Sequence, residues 1–436
     1  MLRSREENGS MLPPGPRSPA VVQMIEFSTR PVQMMESAAR KYGDPFTMRM
    51  PALGAYVMIS APPLIKEVFN GDPDLMHAGK ANQVIEPLVG SRSVLLLDGA
   101  PHLRARRLLS PPMRGERMQA YASIIEEITL AELARMPVGR PFSIHAHMQA
   151  ITLDVILRAV FGLERGPHMD RFRAVLVELL EPPPAVMTFV PKKWLDFPGS
   201  PYRTFLRRKA AVDRALLELV DARRSAPLGE DILSLLLAAR DETGAPLSDE
   251  ELRDELITML LAGHETTATA LSWAVALILQ APDVRDRLGD PDYLDATIKE
   301  TLRLRPIVPD VVRELQRPMT FAGYDLPAGA KLTPCIYLAH RRPDIYPEPS
   351  RFDPTRFLGV KPDPYAWFPF GGGIRRCLGM AFALYEMRVV LSLLFARAKL
   401  RLAQPGPVRV VRRTVTLAPA GGTRVILDAP VRDRFS

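Results

Sequence analysis

Apolar residues recur at helical spacing along most of the chain, and stretches that alternate as a strand does are few and short. A period near 3.6 places apolar side chains on one face of a helix, whereas a period of two indicates a half-buried strand. The helical pattern covers 31–42, 101–109, 118–134, 148–161, 201–223, 231–239 and much of the chain from residue 249 onward. Runs rich in β-branched residues predict strands at 46–50, 55–59, 319–321, 409–411 and 423–427. We therefore expect a mainly α fold with small β-sheets.

No repeat and no Gly/Ser linker divides the 436 residues. We expect residues 1–12 to form a flexible N-terminal segment and residues 13–436 to form a single domain. Proline-rich joints separate the helical stretches without a boundary between domains.

The most apolar long stretch, residues 255–280, carries His264 and Glu265 near its centre. An ionised carboxylate is costly in the middle of a bilayer, so this stretch predicts a buried helix of a globular protein. The first twenty residues are polar and proline-rich, unlike a membrane span. We expect a soluble, cytoplasmic protein.

Two cysteines, Cys335 and Cys377, are too few for a disulfide framework and are typical of the reducing cytosol. We expect both to be free. The formal net charge is +8, and the arginines are scattered rather than gathered in one tail. This distribution favours a basic docking face for an acidic protein over nucleic-acid binding.

The strongest chemical signal is the segment from Phe370 to Gly379, in which Cys377 lies between a run of glycines and an apolar helical stretch. Glycines let the backbone approach a flat ligand closely, and the N-terminus of a helix stabilises a thiolate. These are the requirements of an iron ligand, although a lone cysteine beside glycines is more often a structural thiol.

The spacing of Phe370, Gly373, Arg375, Cys377 and Gly379 resembles the haem-binding loop of the cytochrome P450 family. The resemblance extends from the Pro-Pro-Gly-Pro sequence at 13–16 to residues 417–419, and it indicates a soluble, bacterial-type member. It implies the P450 fold, with a long central helix over the haem and the cysteine loop below it. The protein would then bind haem b, with the Cys377 thiolate as the metal ligand.

Two further motifs of the family are present. Glu300 and Arg303, one helical turn apart, together with Arg356, match a Glu-Arg-Arg triad that would lock the cysteine loop. Taken alone, the first two would be an ordinary surface ion pair. The segment 262–267 matches the acid-alcohol site, in which Glu265 and Thr266 would deliver protons during oxygen activation. A threonine inside a helix more often bonds back to the carbonyl four residues earlier, and His264 is interpreted as a structural variant.

The resemblance also assigns residues to the cofactor. His102, Arg106, Arg313 and Arg375 would contact the haem propionates, and four matches at once favour that role over ordinary surface charge. The remaining expected cofactor contacts are Ala262, Phe370, Gly371, Cys377 and Gly379.

The expected substrate is a hydrophobic small molecule of the terpenoid, steroid or fatty-acid class, with a preference for terpenoid-like or polycyclic molecules. Helical spacing places Thr258, Leu261, Ala262 and Thr266 on the face of the central helix that looks toward the haem. Lining segments are expected at 81–97, 181–197, 308–312 and 417–418. The candidate pocket residues are Thr258, Leu261, Ala262, Val308, Val311, Val312, Leu417 and Ala418.

No Gly-x-Gly-x-x-Gly element follows a strand, so electrons are expected from outside the chain. NAD(P)H would act indirectly, through a ferredoxin or flavodoxin-type donor and its reductase, docking near Arg104, Arg107 and Arg376. A monomer suffices.

Three alternatives remain open. A peroxide-driven hydroxylase of the same fold would lack the acid-alcohol pair, and a haem-thiolate isomerase or dehydratase would depart from it. A haem-based gas sensor or carrier would bind ligands without turnover. Product formation coupled to a ferredoxin and its reductase would exclude the sensor.

Overall fold

The computed structural model describes residues 12–113, 121–180, 196–413 and 415–429. All but the last residue of the predicted flexible segment 1–12, and residues 181–195 of the predicted pocket segment 181–197, lie outside the described residues.

Helices dominate the described chain. In chain order, and leaving out short 3₁₀ turns, they are α1 (Ala20–Thr29), α2 (Pro31–Tyr42), α3 (Pro62–Phe69), α4 (Ala78–Ala81), α5 (Glu86–Val89), α6 (Gly99–Leu109), α7 (Ala122–Leu133), α8 (Ile144–Ala159), α9 (Pro167–Leu180), α10 (Pro201–Arg224), α11 (Ile232–Ala238), α12 (Asp249–Gln280), α13 (Pro282–Arg285), α14 (Pro291–Leu304), α15 (Ile336–Ala339) and α16 (Met380–Arg397).

The strands are short. They are β1 (Phe46–Met50), β2 (Gly54–Ile59), β3 (Met76–His77), β4 (Phe142–Ser143), β5 (Arg313–Leu315), β6 (Met319–Phe321), β7 (Tyr324–Leu326), β8 (Lys331–Pro334), β9 (Leu400–Leu402), β10 (Val410–Arg413), β11 (Thr416–Pro419) and β12 (Arg424–Leu427). The largest sheet of the described residues has the order β1-β2-β8-β5-β3, with β2 and β8 parallel, and smaller sheets are β4-β12-β9, β10-β11 and β6-β7.

The mainly α class is confirmed, and the predicted helices are present within a few residues of their expected ends. The sequence did not predict β3, β4, β5, β7, β8, β9 and β11. Strands of two to four residues contain too few positions for an alternating pattern to be visible.

The central helix α12 positions the site. Its start is fixed by a capping box: the Ser248 hydroxyl accepts from the Glu251 N–H (3.2 Å), and Glu251 Oε2 accepts from the Ser248 N–H (2.8 Å). Most of its length is buried in the main core, where α8, α14 and α16 pack against it. The Trp273 indole N–H donates to the Leu417 carbonyl (2.8 Å), which fixes the β10-β11 hairpin to the same helix.

Among the described residues, no helix is both long enough and apolar enough to span a membrane.

Candidate active site

Cys377 lies in the turn that joins the 3₁₀ segment Gly373–Arg375 to α16. Its N–H donates to the Phe370 carbonyl (3.0 Å), which closes the loop. The thiol is free and accessible. Although the residue has exposed surface, the protein atoms crowded around the sulfur partly desolvate it and raise the pKa of the thiol, while the Gly379 N–H, Arg106 and Arg376 act in the opposite direction by stabilising the thiolate.

Glycines are required on the N-terminal side of the loop for steric reasons. Gly373 has φ +62°, and a Cβ there would lie 2.2 Å from the Phe69 carbonyl oxygen. A Cβ on Gly372 would lie 2.1 Å from the Phe69 ring. Gly371 also has φ +66°, whereas a Cβ on Gly379 would meet no heavy atom within 4 Å. The first glycines therefore pack the loop against α3, and Gly379 leaves open space beside the cysteine.

A cationic cluster lies beside this loop. His102 is 1% exposed, and its Nδ1 has no hydrogen-bond partner within the described part of the chain. Burial and the charges of Arg375, Arg106 and Arg313 together lower the pKa of His102 to about 4, against the opposite effect of Asp98. Four predicted propionate contacts are thus brought together around one unpartnered ring nitrogen.

The arginines of this cluster differ in their partners. Arg313 is buried and donates to the carbonyls of Val312 (2.9 Å) and Gly372 (3.4 Å). Burial and the charge of Arg375 lower its pKa to about 10. Arg375 instead forms an ion pair with Asp98 and donates to the Val94 carbonyl (3.1 Å). Arg106 donates to the Arg376 carbonyl (2.5 Å).

These features fit haem. A single accessible thiol suits haem, because the porphyrin itself supplies four nitrogen ligands to the iron and the protein would need to add one. Buried cations whose pKa is lowered by burial favour an anion nearby, and haem carries two propionates. The open space at Gly379 suits a flat macrocycle. When it carries the ring proton, the unpartnered Nδ1 of His102 is a donor that such a carboxylate would accept from.

The predicted triad is assembled and fully buried at its centre. Arg303 donates to both oxygens of Glu300 (2.6 and 2.8 Å) and also to the carbonyl of His340 (2.8 Å). Arg356 Nε lies 3.7 Å from Glu300, and the Asp353 N–H donates to the same carboxylate (2.9 Å). These bonds hold α14 to the segment that leads into the cysteine loop, so the Glu300 charge is matched without reaching the substrate side.

Thr266 bonds locally. Its hydroxyl donates to the Ala262 carbonyl (2.5 Å), the bond expected of any helical threonine, and α12 is continuous across this point. Ala262 is exposed and Thr266 half-buried. Both therefore border the open side of the helix.

Glu265 points to a polar cluster formed with α8 and β10. Gln149 donates to Oε2 (2.7 Å), while His145 Nε2 (3.5 Å) and Arg413 (3.6 Å) face Oε1. Burial raises the pKa of Glu265, but His145, Arg413 and Gln149 together lower it more, so the net pKa lies below its ordinary value. The Arg413 side chain is 40% exposed, which connects the carboxylate to the surface.

His145 lies between Glu265 and two further polar groups. Its Nδ1 is 3.1 Å from Ser272 Oγ, which donates to the Ala268 carbonyl (2.7 Å). Its Nε2 is 3.5 Å from Glu265 Oε1 and 3.0 Å from Arg413, so the ring connects Glu265 and Arg413 to Ser272.

His264 is 4% exposed and bonds to Thr152 on α8 through Nδ1 (2.9 Å). Burial lowers its pKa to about 4, so the ring is neutral and joins two helices. Cys335 is free and buried, as expected for two cysteines that form no disulfide.

The candidate pocket residues fall into two groups. Leu261, Val308, Val311 and Val312 are half-buried and Ala262 is exposed, whereas Thr258, Leu417 and Ala418 are 5% exposed or less. The Thr258 hydroxyl bonds to Ser93 Oγ (2.7 Å). Sequence reasoning missed Asp98, His145, Gln149 and Arg413, because their roles depend on contacts between distant segments that no local spacing reveals.

Comparison with known proteins agrees with this geometry. The family model described as "Cytochrome P450" matches residues 12–291 and 288–422. The chain is 40% identical to "Putative cytochrome P450 135B1" of Mycobacterium tuberculosis, with 96% of this chain and 92% of that protein covered. It is 37% identical to "Putative cytochrome P450 137" of the same species, with coverages of 88% and 83%.

Solved structures show the same fold. Retinoic acid bound cyanobacterial CYP120A1 superposes with a TM-score of 0.83 at 26% identity, covering 95% of this chain and 99% of that chain. The heme domain of cytochrome P450DA superposes with a TM-score of 0.82 at 23% identity, covering 97% and 98%. The thiol loop, the cationic cluster, the triad and the match along nearly the whole chain lead to one conclusion: this chain belongs to the cytochrome P450 family and is a haem-thiolate monooxygenase.

Proposed function

We propose that this P450 hydroxylates or epoxidises an apolar, terpenoid-like or polycyclic molecule, with electrons that originate from NAD(P)H and arrive through a ferredoxin or flavodoxin-type protein and its reductase. The observation that supports the chemistry best is the accessible Cys377 thiol beside the cluster of His102, Arg313 and Arg375. Haem bound there would activate dioxygen and supply the oxygen atom.

In this proposal each part of the site has one task. Cys377 ligates iron, while His102, Arg106, Arg313 and Arg375 bind the propionates. Arg375 would exchange its bond to Asp98 for a propionate, or share it. Glu300, Arg303 and Arg356 keep the cysteine loop in place.

Glu265 and Thr266 supply protons on the opposite side. The path from solvent would run through the groups around Arg413 and His145 to Glu265, and the carboxylate would then turn toward Thr266. A low pKa keeps Glu265 ionised and ready to accept a proton from solvent, which suits a relay better than a permanent acid.

The substrate class is argued from the lining. Leu261, Ala262, Val308, Val311 and Val312 keep exposed surface and are all apolar. The structural relative that binds retinoic acid supports an isoprenoid-like guest, since retinoic acid has a long apolar polyene body built from isoprene units, with a carboxylate at one end.

The basic residues expected to contact the electron donor differ in whether their charges are already paired within the chain. Arg104 forms ion pairs with Asp241 (2.6 Å) and Glu251 (2.8 Å), and Arg107 pairs with Glu242. Their charges are therefore largely matched within the chain. Arg376, exposed and next to the cysteine, is the better candidate for contact with an acidic partner.

The test uses the purified haem protein. We expect a thiolate-type absorption band in the reduced, CO-bound form, a substrate-induced Soret shift with retinoic acid or another isoprenoid, and product formation with a surrogate ferredoxin and reductase. Cys377→Ala should abolish the thiolate spectrum, and Arg376→Glu should slow reduction at unchanged haem content. Turnover with peroxide alone and none with the electron donors would overturn the proposal.

A further inference from the structure

Residues 90–97 cross the N-terminal half of α12 and are bound to it by three side chains. Asp254, fully buried, accepts from the Arg92 N–H (2.9 Å) through Oδ2. Gly90 packs directly on the same carboxylate, since a Cβ there would lie 2.1 Å from Asp254 Cγ. The first contact thus joins loop backbone to a helix carboxylate.

The second contact is made by Glu255. This side chain is 1% exposed, and its Oε1 accepts from the Val94 N–H (2.7 Å). Its Oε2 is buried and has no hydrogen-bond partner among the residues that the structure describes. A buried carboxyl with one unsatisfied oxygen is costly, so a structural role alone does not explain it.

The third contact joins two hydroxyls. Thr258 Oγ1 lies 2.7 Å from Ser93 Oγ and donates to the Asp254 carbonyl (2.6 Å), and Ser93 Oγ in turn accepts from the Leu95 N–H (3.2 Å). Thr258 is one helical turn before Ala262 and two before Thr266. The loop is therefore held immediately beside the open face of α12.

At its far end the loop contacts the cofactor site. Arg375 donates to the carbonyls of Val94 (3.1 Å) and Leu97 and pairs with Asp98, whose carboxylate accepts from the N–H groups of Ala78 and Gly79 at the start of α4. Residues 90–97 therefore connect α12 to Arg375, a predicted contact of the haem propionates. Any molecule that enters between them must displace it or pass under it.

We propose that Asp254, Glu255 and Thr258 form a latch that holds residues 90–97 closed over the substrate side of α12, and that release of the Glu255 bond to this loop controls the admission of bulky substrates. This rests on the proposed function, because it takes the open face of α12 as the substrate side. Glu255 is a positioning residue here, since it acts through the loop and not on the reacting atoms.

The charges near Glu255 give the latch a pH dependence. Burial, opposed by the Val94 N–H and reinforced by the neighbouring carboxylates Asp254 and Glu251, raises the pKa of Glu255 to about 8. From the loop side, Arg92 faces Glu250 (3.9 Å), and on the helix Arg253 pairs with Asp254 (2.7 Å). Opening exposes Glu255 to water, where its pKa is ordinary, so closure is favoured below pH 4.5 and lost as the pH rises through about 8.

The experiment measures probe entry into the haem protein and hydrogen exchange of the loop. Clotrimazole serves as a bulky iron ligand, and CO as a small one. Glu255→Ala should speed clotrimazole association by ~5-fold or more, the equivalent of one lost hydrogen bond, with little change for CO. The Val94 amide should lose protection to a similar extent. In wild type, clotrimazole association should rise between pH 6 and 9, by at most ~10-fold per pH unit.

Glu255→Gln keeps an acceptor for the Val94 N–H but cannot titrate, so it should retain closure and lose the pH dependence. Glu386→Gln is the matched control: Glu386 is also buried with a pKa near 8, but it lies on α16, and its replacement should leave the pH profile of entry unchanged. Ser93→Ala, which removes the contact to Thr258 and the bond from the Leu95 N–H but leaves Glu255 in place, serves if Glu255→Ala does not fold.

Unchanged clotrimazole rates and Val94 protection in both Glu255→Ala and Ser93→Ala would overturn the latch, and a wild-type pH profile in Glu255→Gln would overturn the role of its proton. Hydrogen exchange and azole binding do not depend on turnover. A protein that behaves as expected here but forms no product would contradict the proposed function and leave the latch standing.

Discussion

Two glutamates on the same helix have pKa values that are shifted in opposite directions. Glu255 and Glu265 both lie on α12, and burial raises the pKa of both. Glu265 has a histidine, an arginine and a glutamine around it, and its net pKa falls below the ordinary value. Glu255 has one backbone N–H and two further carboxylates nearby, and its pKa rises to about 8.

The difference shows that the charge state of a buried carboxylate depends on its neighbours more than on its depth. Glu265 can stay ionised because His145 and Arg413 compensate it, and Arg413 reaches the surface. Glu255 is held protonated at neutral pH and can serve only as a neutral partner to the loop. The middle of the helix therefore suits proton transfer, and its N-terminal part suits a closure that depends on protonation.

The largest effect is expected from Gly90→Ala. The new Cβ would collide with Asp254 and would occupy a left-handed backbone position (φ +85°). Strain and the lost Arg92 N–H bond together predict a loss of ~3 kcal/mol in the free energy of unfolding, measured by urea denaturation. Gly244→Ala is the control, because its φ is +83° but no atom lies within 4 Å of the new Cβ. Equal losses in the two variants would show that Gly90 does not press on Asp254.

The sequence predicted the parts of the site that are local in the chain. Cys377 and its glycines, and the spacing of Glu300 and Arg303, follow from a few consecutive residues. The direction of Glu265 was beyond such reasoning, because it is set by Gln149 on α8 and Arg413 on β10. Helical spacing predicts that Thr258 shares a face with Ala262, but it could not reveal that the Thr258 hydroxyl is bound to Ser93.

The second prediction concerns turnover. Glu265→Gln cannot relay a proton, and removing a positioned acid or base commonly costs ~100-fold in rate. We expect kcat with ferredoxin and reductase to fall by about this factor while the haem spectrum is unchanged. Glu386→Gln, another buried glutamate, should keep the wild-type rate. A Glu265→Gln enzyme with full coupled turnover would remove Glu265 from the proton path.

The third prediction concerns how the free energy of unfolding depends on pH, and how Glu255 and Glu265 contribute to that dependence in opposite ways. For Glu255, whose folded pKa is raised, stability is lost as the pH rises from 4.5 through about 8. For Glu265, whose folded pKa is lowered, stability is present above its ordinary pKa and lost as the pH falls through the lowered value. Each proton contributes a slope of at most ~1.4 kcal/mol per pH unit.

Unfolding free energies between pH 4 and 9 should therefore separate the two variants. Glu255→Gln should gain stability over wild type toward pH 9, and Glu265→Gln should lose stability at neutral pH and approach wild type in acid. Parallel curves for the two variants would mean that the surroundings of the two glutamates are not electrostatically distinct.

The smallest expected effect is on the free energy of unfolding when either of two threonines on α12 is replaced by valine. Thr258→Val removes the partner of Ser93, which is fully buried, and should cost ~1 kcal/mol in the free energy of unfolding. Thr269→Val removes only a 3.5 Å contact to Glu265, which keeps Gln149 at 2.7 Å, so we expect a change within ~0.5 kcal/mol. Valine has nearly the shape of threonine, and both positions lie on α12, so packing and helix propensity cancel between the variants. Thr258→Val also removes the bond from the Thr258 hydroxyl to the Asp254 carbonyl, so Ser93→Ala is measured beside it. A loss in both Thr258→Val and Ser93→Ala, with none in Thr269→Val, assigns the contribution to the hydroxyl pair that holds the loop, whereas equal losses in the two threonine variants would show that this pair contributes nothing.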